Sequence, residues 1–178
     1  PTPKALFPLQ GKPLIEYLLD TIKLLSVDKT FIVSGERTHQ YLVGYVKNSV
    51  EIIRQKQALG TFDALLTAIK QINTLKNKPT SLLVINADTP LIRVQFLQSL
   101  LNCPNDNAIA TQIASNPCGL GRIIYNSVGQ LKQIVEQKEL SPNQHFIHDV
   151  NAGIYKLNFH QINTALNKTF DTAERSLT

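Results

Sequence analysis

The chain has 178 residues, which is one domain's worth of sequence and enough to bury a substantial core. Its formal net charge is +5, but the lysines and arginines form no run and have no aromatic interleaving, which favours a solvated surface over a nucleic-acid-binding face. Without a bilayer-spanning apolar stretch, a signal-peptide pattern or a CxxC pair between Cys103 and Cys118, we expect a cytoplasmic protein with no membrane partner, no disulfide framework and no zinc site.

Helical and strand periods alternate along the first two thirds of the chain. Apolar residues at helical spacing predict helices, and short β-branched runs predict strands. The predicted helices cover residues 13–25, 37–47, 61–72 and 93–101, and the predicted strands cover residues 30–35, 50–55, 82–86 and 107–114. This alternation predicts an α/β fold with a doubly wound, mainly parallel but mixed sheet.

The last third of the chain has a different character. A turn around Gly129 joins two short strands at residues 121–126 and 130–137, which predicts a hairpin, and residues 148–158 predict another strand before a closing helix. The opening segment PTPKALFPL reaches the first helix without the central strand that a doubly wound domain needs. We therefore expect residues 1–178 to be one domain that is a fragment of a longer chain.

The segment LLVINADTPLI (82–92) is the first pointer to function. Its apolar run predicts a buried parallel strand that ends at Asp88, and ligands of open α/β sheets collect at the carboxyl ends of strands. A carboxylate at that point suggests a divalent metal and a phosphorylated ligand. The alternative for a lone aspartate in this position is a cap of the following helix or turn.

Six segments, in order and spread over nearly the whole chain, resemble motifs of the sugar nucleotidyltransferase family. They are PKALFPLQGKPLIEYLLDTI, QKQALGTFDALLTA, NADTPLI, CGLGRI, QIVEQKELS and DVNAGIY, with TAERSLT resembling the region near the domain's end. GLGRI and IVEQK are most similar to the uridylyltransferase domain of bacterial bifunctional N-acetylglucosamine-1-phosphate uridyltransferases. The resemblance implies the nucleotide-diphospho-sugar transferase (Rossmann-like) fold, and a glycine-rich loop and a C-terminal end that lie outside these residues.

The resemblance also implies a role for particular residues. Lys4 meets the nucleotide phosphates, and Asp88 binds Mg²⁺ and is catalytic with Lys4. The nucleotide-binding residues it implies are Lys4, Gln55, Gly60 and Thr61, and the sugar-binding residues are Asn86, Gly121, Glu136 and Asn151. Four of them have a simpler alternative: Lys4 as an ordinary exposed lysine, Thr61 as a helix cap, Glu136 as a solvated side chain, and Asn151 as a structural hydrogen bonder.

The function implied is Mg²⁺-dependent transfer of a uridylyl group from UTP to a sugar 1-phosphate, most simply N-acetylglucosamine 1-phosphate, in the synthesis of a cell-wall precursor. UTP and the sugar phosphate are then the partners, and an oligomer would form through the C-terminal domain. Alternatives are a cytidylyl- or guanylyltransferase and a non-catalytic nucleotide-sugar-binding domain. Four residues depart from the family pattern at motif positions, and they are Ala58, Asp63, Asn86 and Ala152. Asp63 stands where a histidine is usual.

Overall fold

A computed structural model describes residues 3–43, 50–55 and 60–166. Its helices are α1 (Leu14–Lys23), α2 (Glu36–Val43), α3 (Thr61–Ile72) and α4 (Val94–Leu101), and residues 159–166 are also helical. Its strands are β1 (Pro8–Leu9), β2 (Lys12–Pro13), β3 (Thr30–Gly35), β4 (Val50–Gln55), β5 (Ser81–Ile85), β6 (Ala108–Ile113), β7 (Arg122–Tyr125), β8 (Leu131–Val135) and β9 (Asp149–Asn158). Ala58, the segment TAERSLT and the end of the predicted helix 37–47 lie outside the described residues.

Strands β3 and β4 form a parallel pair, with Thr30 opposite Val50 and Gly35 opposite Gln55. Successive side chains of a strand point to opposite faces, and β3 follows this rule. Phe31 packs with the α3 residues Ile69 and Ile72, whereas Ile32 packs with Ile15 of α1 and Leu42 of α2. Helices therefore cover both faces of β3, as a doubly wound arrangement requires.

The larger sheet is antiparallel and is organised around β9. Val150 pairs with residues of both β6 and β7, and Tyr155 pairs with residues of both β5 and β6. Because a strand has only two edges, β5 and β7 share one edge of β9 and β6 occupies the other. The carboxyl end of β5 and the start of β7 consequently meet along the same edge, near residues 150–154.

The predicted α/β class with mixed pairing is confirmed, and so are the hairpin of β7 with β8 and the long strand near residues 148–158. Among the described strand pairs, parallel pairing is restricted to β3 and β4, because β9 and the hairpin run antiparallel to their neighbours. The prediction of a parallel strand before Asp88 is therefore wrong, since β5 pairs antiparallel with β9. A fully buried Leu97 anchors α4 against Ala110 of β6 and Ile154 of β9. Within the described residues, every helix is too short or too polar to span a membrane.

Candidate active site

The carboxyl end of β5 lies against the backbone of β9. The backbone N–H of Asn86 donates to the carbonyl oxygen of Gly153 at 3.2 Å. Gly153 has a φ of +70°, which L side chains rarely adopt. A Cβ atom at this position would also lie only 2.1 Å from the Asn86 side-chain nitrogen. The glycine of the DVNAGIY motif is therefore needed both for its backbone conformation and for the space it leaves to Asn86.

Asn151 joins β9 to the turn that precedes β7. Its backbone N–H donates to the carbonyl oxygen of Gly121 at 2.9 Å. Its side-chain Nδ2 donates to the Tyr155 hydroxyl at 2.6 Å, and its Oδ1 accepts from the backbone N–H of Gly153 at 2.9 Å. Both polar atoms of the side chain thus have partners within the chain, which is the structural role given above as the alternative for this residue.

Gly121 and Glu136 are direct neighbours. A Cβ atom at Gly121 would lie 3.4 Å from a carboxylate oxygen of Glu136 and 3.1 Å from Cγ2 of Ile134. Gly121 is buried, whereas Glu136 is exposed and directly follows β8. The four residues that the sequence assigned to sugar binding are therefore linked in space, from Asn86 through Gly153 and Asn151 to Gly121 and Glu136.

Sequence reasoning missed Arg122, which is only 2% exposed. Its guanidinium donates to the carbonyl oxygen of Leu120 and, at 2.9 Å, to Oε1 of Gln137, which also accepts from the backbone N–H of Gly119. The arginine thereby ties the turn before β7 to the turn after β8, on either side of Gly121 and Glu136. Arginine is rarely buried this fully, so a pattern-based analysis assigns it to the surface.

Asp88 lies in the turn after β5 and is exposed. It does not cap α4, whose cap residue is Arg93, so the helix-cap form of that alternative is wrong. Within the residues that the structure describes, the Asp88 carboxylate has neither a hydrogen bond nor an ion pair. The same part of the chain contains no group of three or more metal-binding side chains. Asp88 is thus a single, accessible carboxylate at a strand end.

Lys4 is exposed at the start of a short 3₁₀ helix, Lys4–Leu6. The next residue, Ala5, packs against the same apolar cluster as Ala87, which precedes Asp88. This cluster includes Ile32 of β3 and Leu42 of α2. The segments that carry the predicted phosphate-binding lysine and metal-binding aspartate therefore share one part of the core.

Gln55, Gly60 and Thr61 flank the N-terminus of α3. Gln55 is 6% exposed, and its Nε2 donates to Oδ2 of Asp63 in the first turn of that helix. The helix cap residue is Gly60, which has a φ of +113° and open space where a Cβ would be, and Thr61 is the first helical residue. The alternative of Thr61 as the cap is therefore wrong. The contact of Asp63 with Gln55, like the contacts of Arg122, was not predicted from the sequence.

Comparison with known proteins decides the family, because residues 1–145 match the MobA-like NTP transferase domain. The chain belongs to that family. It is 37% identical over 157 residues to the bifunctional protein GlmU of Trichormus variabilis, a match that covers 86% of this chain and 34% of that protein. The resemblance to nucleotidyltransferases drawn from the motifs is confirmed. The chain spans about a third of the length of this relative.

Solved structures of nucleotidyltransferases share the fold. UDP-glucose pyrophosphorylase superposes with a TM-score of 0.65 at 22% identity, covering 88% of this chain and 68% of that one. CMP:2-keto-3-deoxy-manno-octonic acid synthetase in complex with CTP gives a TM-score of 0.65 at 14% identity, covering 92% and 70%. At these identities the likeness concerns the fold of the MobA-like NTP transferase domain, which is thus shared by proteins named for different nucleotides.

Proposed function

We propose that the protein transfers a uridylyl group from UTP to a sugar 1-phosphate, with N-acetylglucosamine 1-phosphate as the acceptor, and releases pyrophosphate. In this reaction an oxygen of the sugar phosphate forms a bond to the α-phosphorus of UTP while the bond from that phosphorus to the β-phosphate bridge breaks. The observation that carries the proposal is the chain of contacts that links Asn86, Asn151, Gly121 and Glu136 and begins two residues before Asp88. It gives a predicted sugar subsite next to a predicted phosphate subsite.

Mg²⁺ fits the donor set that the chain offers. Mg²⁺ in nucleotide sites is held by one or two carboxylates and keeps waters and phosphate oxygens as its other ligands, so a single accessible carboxylate suffices on the protein side. Asp88 meets that requirement, because it is exposed and has no partner among the described residues. When bound, the ion would neutralise phosphate charge.

The chain's own residues then position two anions against each other. Lys4 is an accessible cation and supplies a point charge to the phosphates, which repel one another as the reactants approach. The exposed carboxylate of Glu136 accepts hydrogen bonds from sugar hydroxyl groups. Gly60 leaves room for the base or ribose to approach the backbone. No residue needs to act as a base, because the sugar phosphate is already a nucleophile.

Two other functions compete with this proposal. A cytidylyl- or guanylyltransferase would use the same fold with another base, and a non-catalytic domain would bind a nucleotide sugar without turnover. The cytoplasmic location and an oligomer built through a further domain stay predictions.

Competition between nucleotides separates these functions. UTP, CTP, dTTP and GTP are mixed at equal concentration with magnesium and saturating N-acetylglucosamine 1-phosphate, and the nucleotide sugars are identified by mass spectrometry. The proposal expects UDP-N-acetylglucosamine as the main product and pyrophosphate in equal amount. A CDP- or GDP-sugar would show that the base is wrong, and nucleotide-sugar binding without any product would support the non-catalytic domain.

A further inference from the structure

The contact between Gln55 and Asp63 suggests how this chain selects its base. Gln55 ends β4 and is nearly buried, so its amide can form few hydrogen bonds with water. Its Nε2 donates to Oδ2 of Asp63. A carboxylate only accepts hydrogen bonds, so the opposite amide orientation would place two acceptor oxygens against each other. Asp63 therefore fixes the orientation of the Gln55 amide, with Nε2 facing Asp63 and Oε1 facing away from it.

The amide atom of Gln55 that does not contact Asp63 is Oε1, a hydrogen-bond acceptor. Among the described residues, no group donates to Oε1 of Gln55. Asp63 itself is held at the N-terminus of α3, where the helix dipole favours a negative charge, and its backbone carbonyl accepts from the Thr67 hydroxyl at 2.9 Å. The aspartate is thus a stable support for one orientation of its neighbour.

We propose that Asp63 is a positioning residue that sets nucleobase selectivity by holding Oε1 of Gln55 towards the base as a fixed acceptor. Uracil carries a donor at ring position 3, whereas cytosine carries an acceptor at the same position. A fixed acceptor therefore pairs with uracil and opposes the ring nitrogen of cytosine. The inference rests on the proposed function, because it assumes that Gln55 faces the base of the bound nucleotide.

Removing Asp63 should free the amide to rotate. Gln55 would then present its NH₂ group to cytosine as readily as its oxygen to uracil, and the preference for UTP would fall. An asparagine at position 63 can accept from Nε2 of Gln55 or donate to its Oε1, so it no longer fixes the orientation of the amide. Asp63→Asn should therefore lower selectivity as Asp63→Ala does, whereas a role limited to the charge at the helix terminus would reduce the stability of both variants and leave selectivity unchanged.

The experiment compares dissociation constants for UTP and CTP, measured by calorimetry on the full protein with magnesium, so that no turnover is needed. We expect the ratio of the two constants to shrink about tenfold in Asp63→Ala and at least about threefold in Asp63→Asn, as expected when one buried hydrogen-bond partner is mismatched. Asp106→Ala is the matched control, because Asp106 accepts from Gln161 in a similar glutamine–aspartate pair on an exposed surface. Circular dichroism confirms that each variant is folded.

The outcomes separate the inference from the proposed function. If the wild-type protein prefers CTP or a purine nucleotide, the proposed uridylyl transfer is wrong, and Asp63 is judged by whether its loss weakens that other preference. If Asp63→Ala leaves the preference of the wild-type protein unchanged, or if Asp63→Asn retains it in full, the positioning role is overturned. A wild-type protein that binds all nucleotides equally would contradict both.

Discussion

Asn86 lies so close to the backbone of Gly153 that its side-chain nitrogen would be 2.1 Å from a Cβ atom there. The backbone of the two residues is also hydrogen-bonded, at 3.2 Å. The end of β5 is thereby fixed against β9, and Asp88 follows two residues after Asn86. The geometry of the proposed phosphate subsite thus depends on a glycine in a different strand.

Gly153→Ala should destabilise the protein more than an ordinary glycine substitution at positive φ. Gly129 has a φ of +77° and open space around it, so Gly129→Ala measures the conformational cost alone, about 1 kcal/mol. Gly153→Ala should cost about 1 to 3 kcal/mol more, because Asn86 must move. Urea unfolding monitored by circular dichroism checks the difference. Equal losses of unfolding free energy in the two variants would show that the Asn86 side chain moves aside at no measurable cost.

Arg122→Lys should reduce stability, because a lysine has one charged nitrogen and cannot bridge the carbonyl oxygen of Leu120 and Oε1 of Gln137 as the guanidinium does. Loss of one hydrogen bond from the buried guanidinium should cost about 1 to 3 kcal/mol of unfolding free energy. The exposed Arg93 provides the control, since Arg93→Lys should be nearly neutral. The KM for the sugar phosphate should rise in Arg122→Lys only. If Arg122→Lys is as stable as the wild type, the contacts of Arg122 do not hold the predicted sugar subsite in place.

Glu136→Gln should weaken binding of the sugar 1-phosphate without affecting binding of UTP. Loss of a charged hydrogen-bond acceptor should raise the KM for the sugar 1-phosphate about tenfold and leave the KM for UTP within about twofold. Glu139→Gln, in the adjacent 3₁₀ turn and equally exposed, serves as the control and should leave both constants unchanged. Steady-state kinetics with each substrate varied in turn gives both values. A rise confined to UTP would place Glu136 on the nucleotide side.

Lys4→Ala should lower kcat more than it raises the KM for the sugar phosphate, because charge neutralisation matters most in the transition state. Lys4→Arg should rescue poorly, since a planar fork differs from a compact ammonium group. Lys76→Ala, another exposed lysine, should have wild-type kinetics. If Lys4→Ala changes only the affinity for the sugar phosphate, the lysine belongs to a different subsite.

Sequence patterns predicted the elements well because the apolar periods of this chain are regular. The strands 30–35 and 50–55 and the helix 61–72 have the same bounds in the structure. The motif positions Asn86, Gly121, Glu136 and Asn151 could also be named, but only as separate residues. Their adjacency depends on β5 and β7 sharing one edge of β9, and no local pattern encodes such a long-range pairing.

The contacts of Arg122 and Asp63 could not be predicted for a related reason. A lone arginine after GLG is typical of a strand surface, and its burial becomes evident only when Leu120 and Gln137 are brought around it. Asp63 stood out only as a departure from a family pattern. Its hydrogen bond with Gln55 joins residues on either side of the start of α3, and it requires the folded positions of both β4 and α3.

The central claim, metal-assisted uridylyl transfer at Asp88, is tested most directly by following the α-phosphate. UTP labelled at that phosphate is mixed with N-acetylglucosamine 1-phosphate and magnesium, and the label in UDP-N-acetylglucosamine is measured for the wild type, Asp88→Asn and the control Asp28→Asn, which alters another exposed aspartate. We expect the wild type and Asp28→Asn to transfer the label and Asp88→Asn to be slower by about two orders of magnitude or more, with an unchanged unfolding midpoint. Wild-type rates of transfer in Asp88→Asn at limiting magnesium would contradict the account.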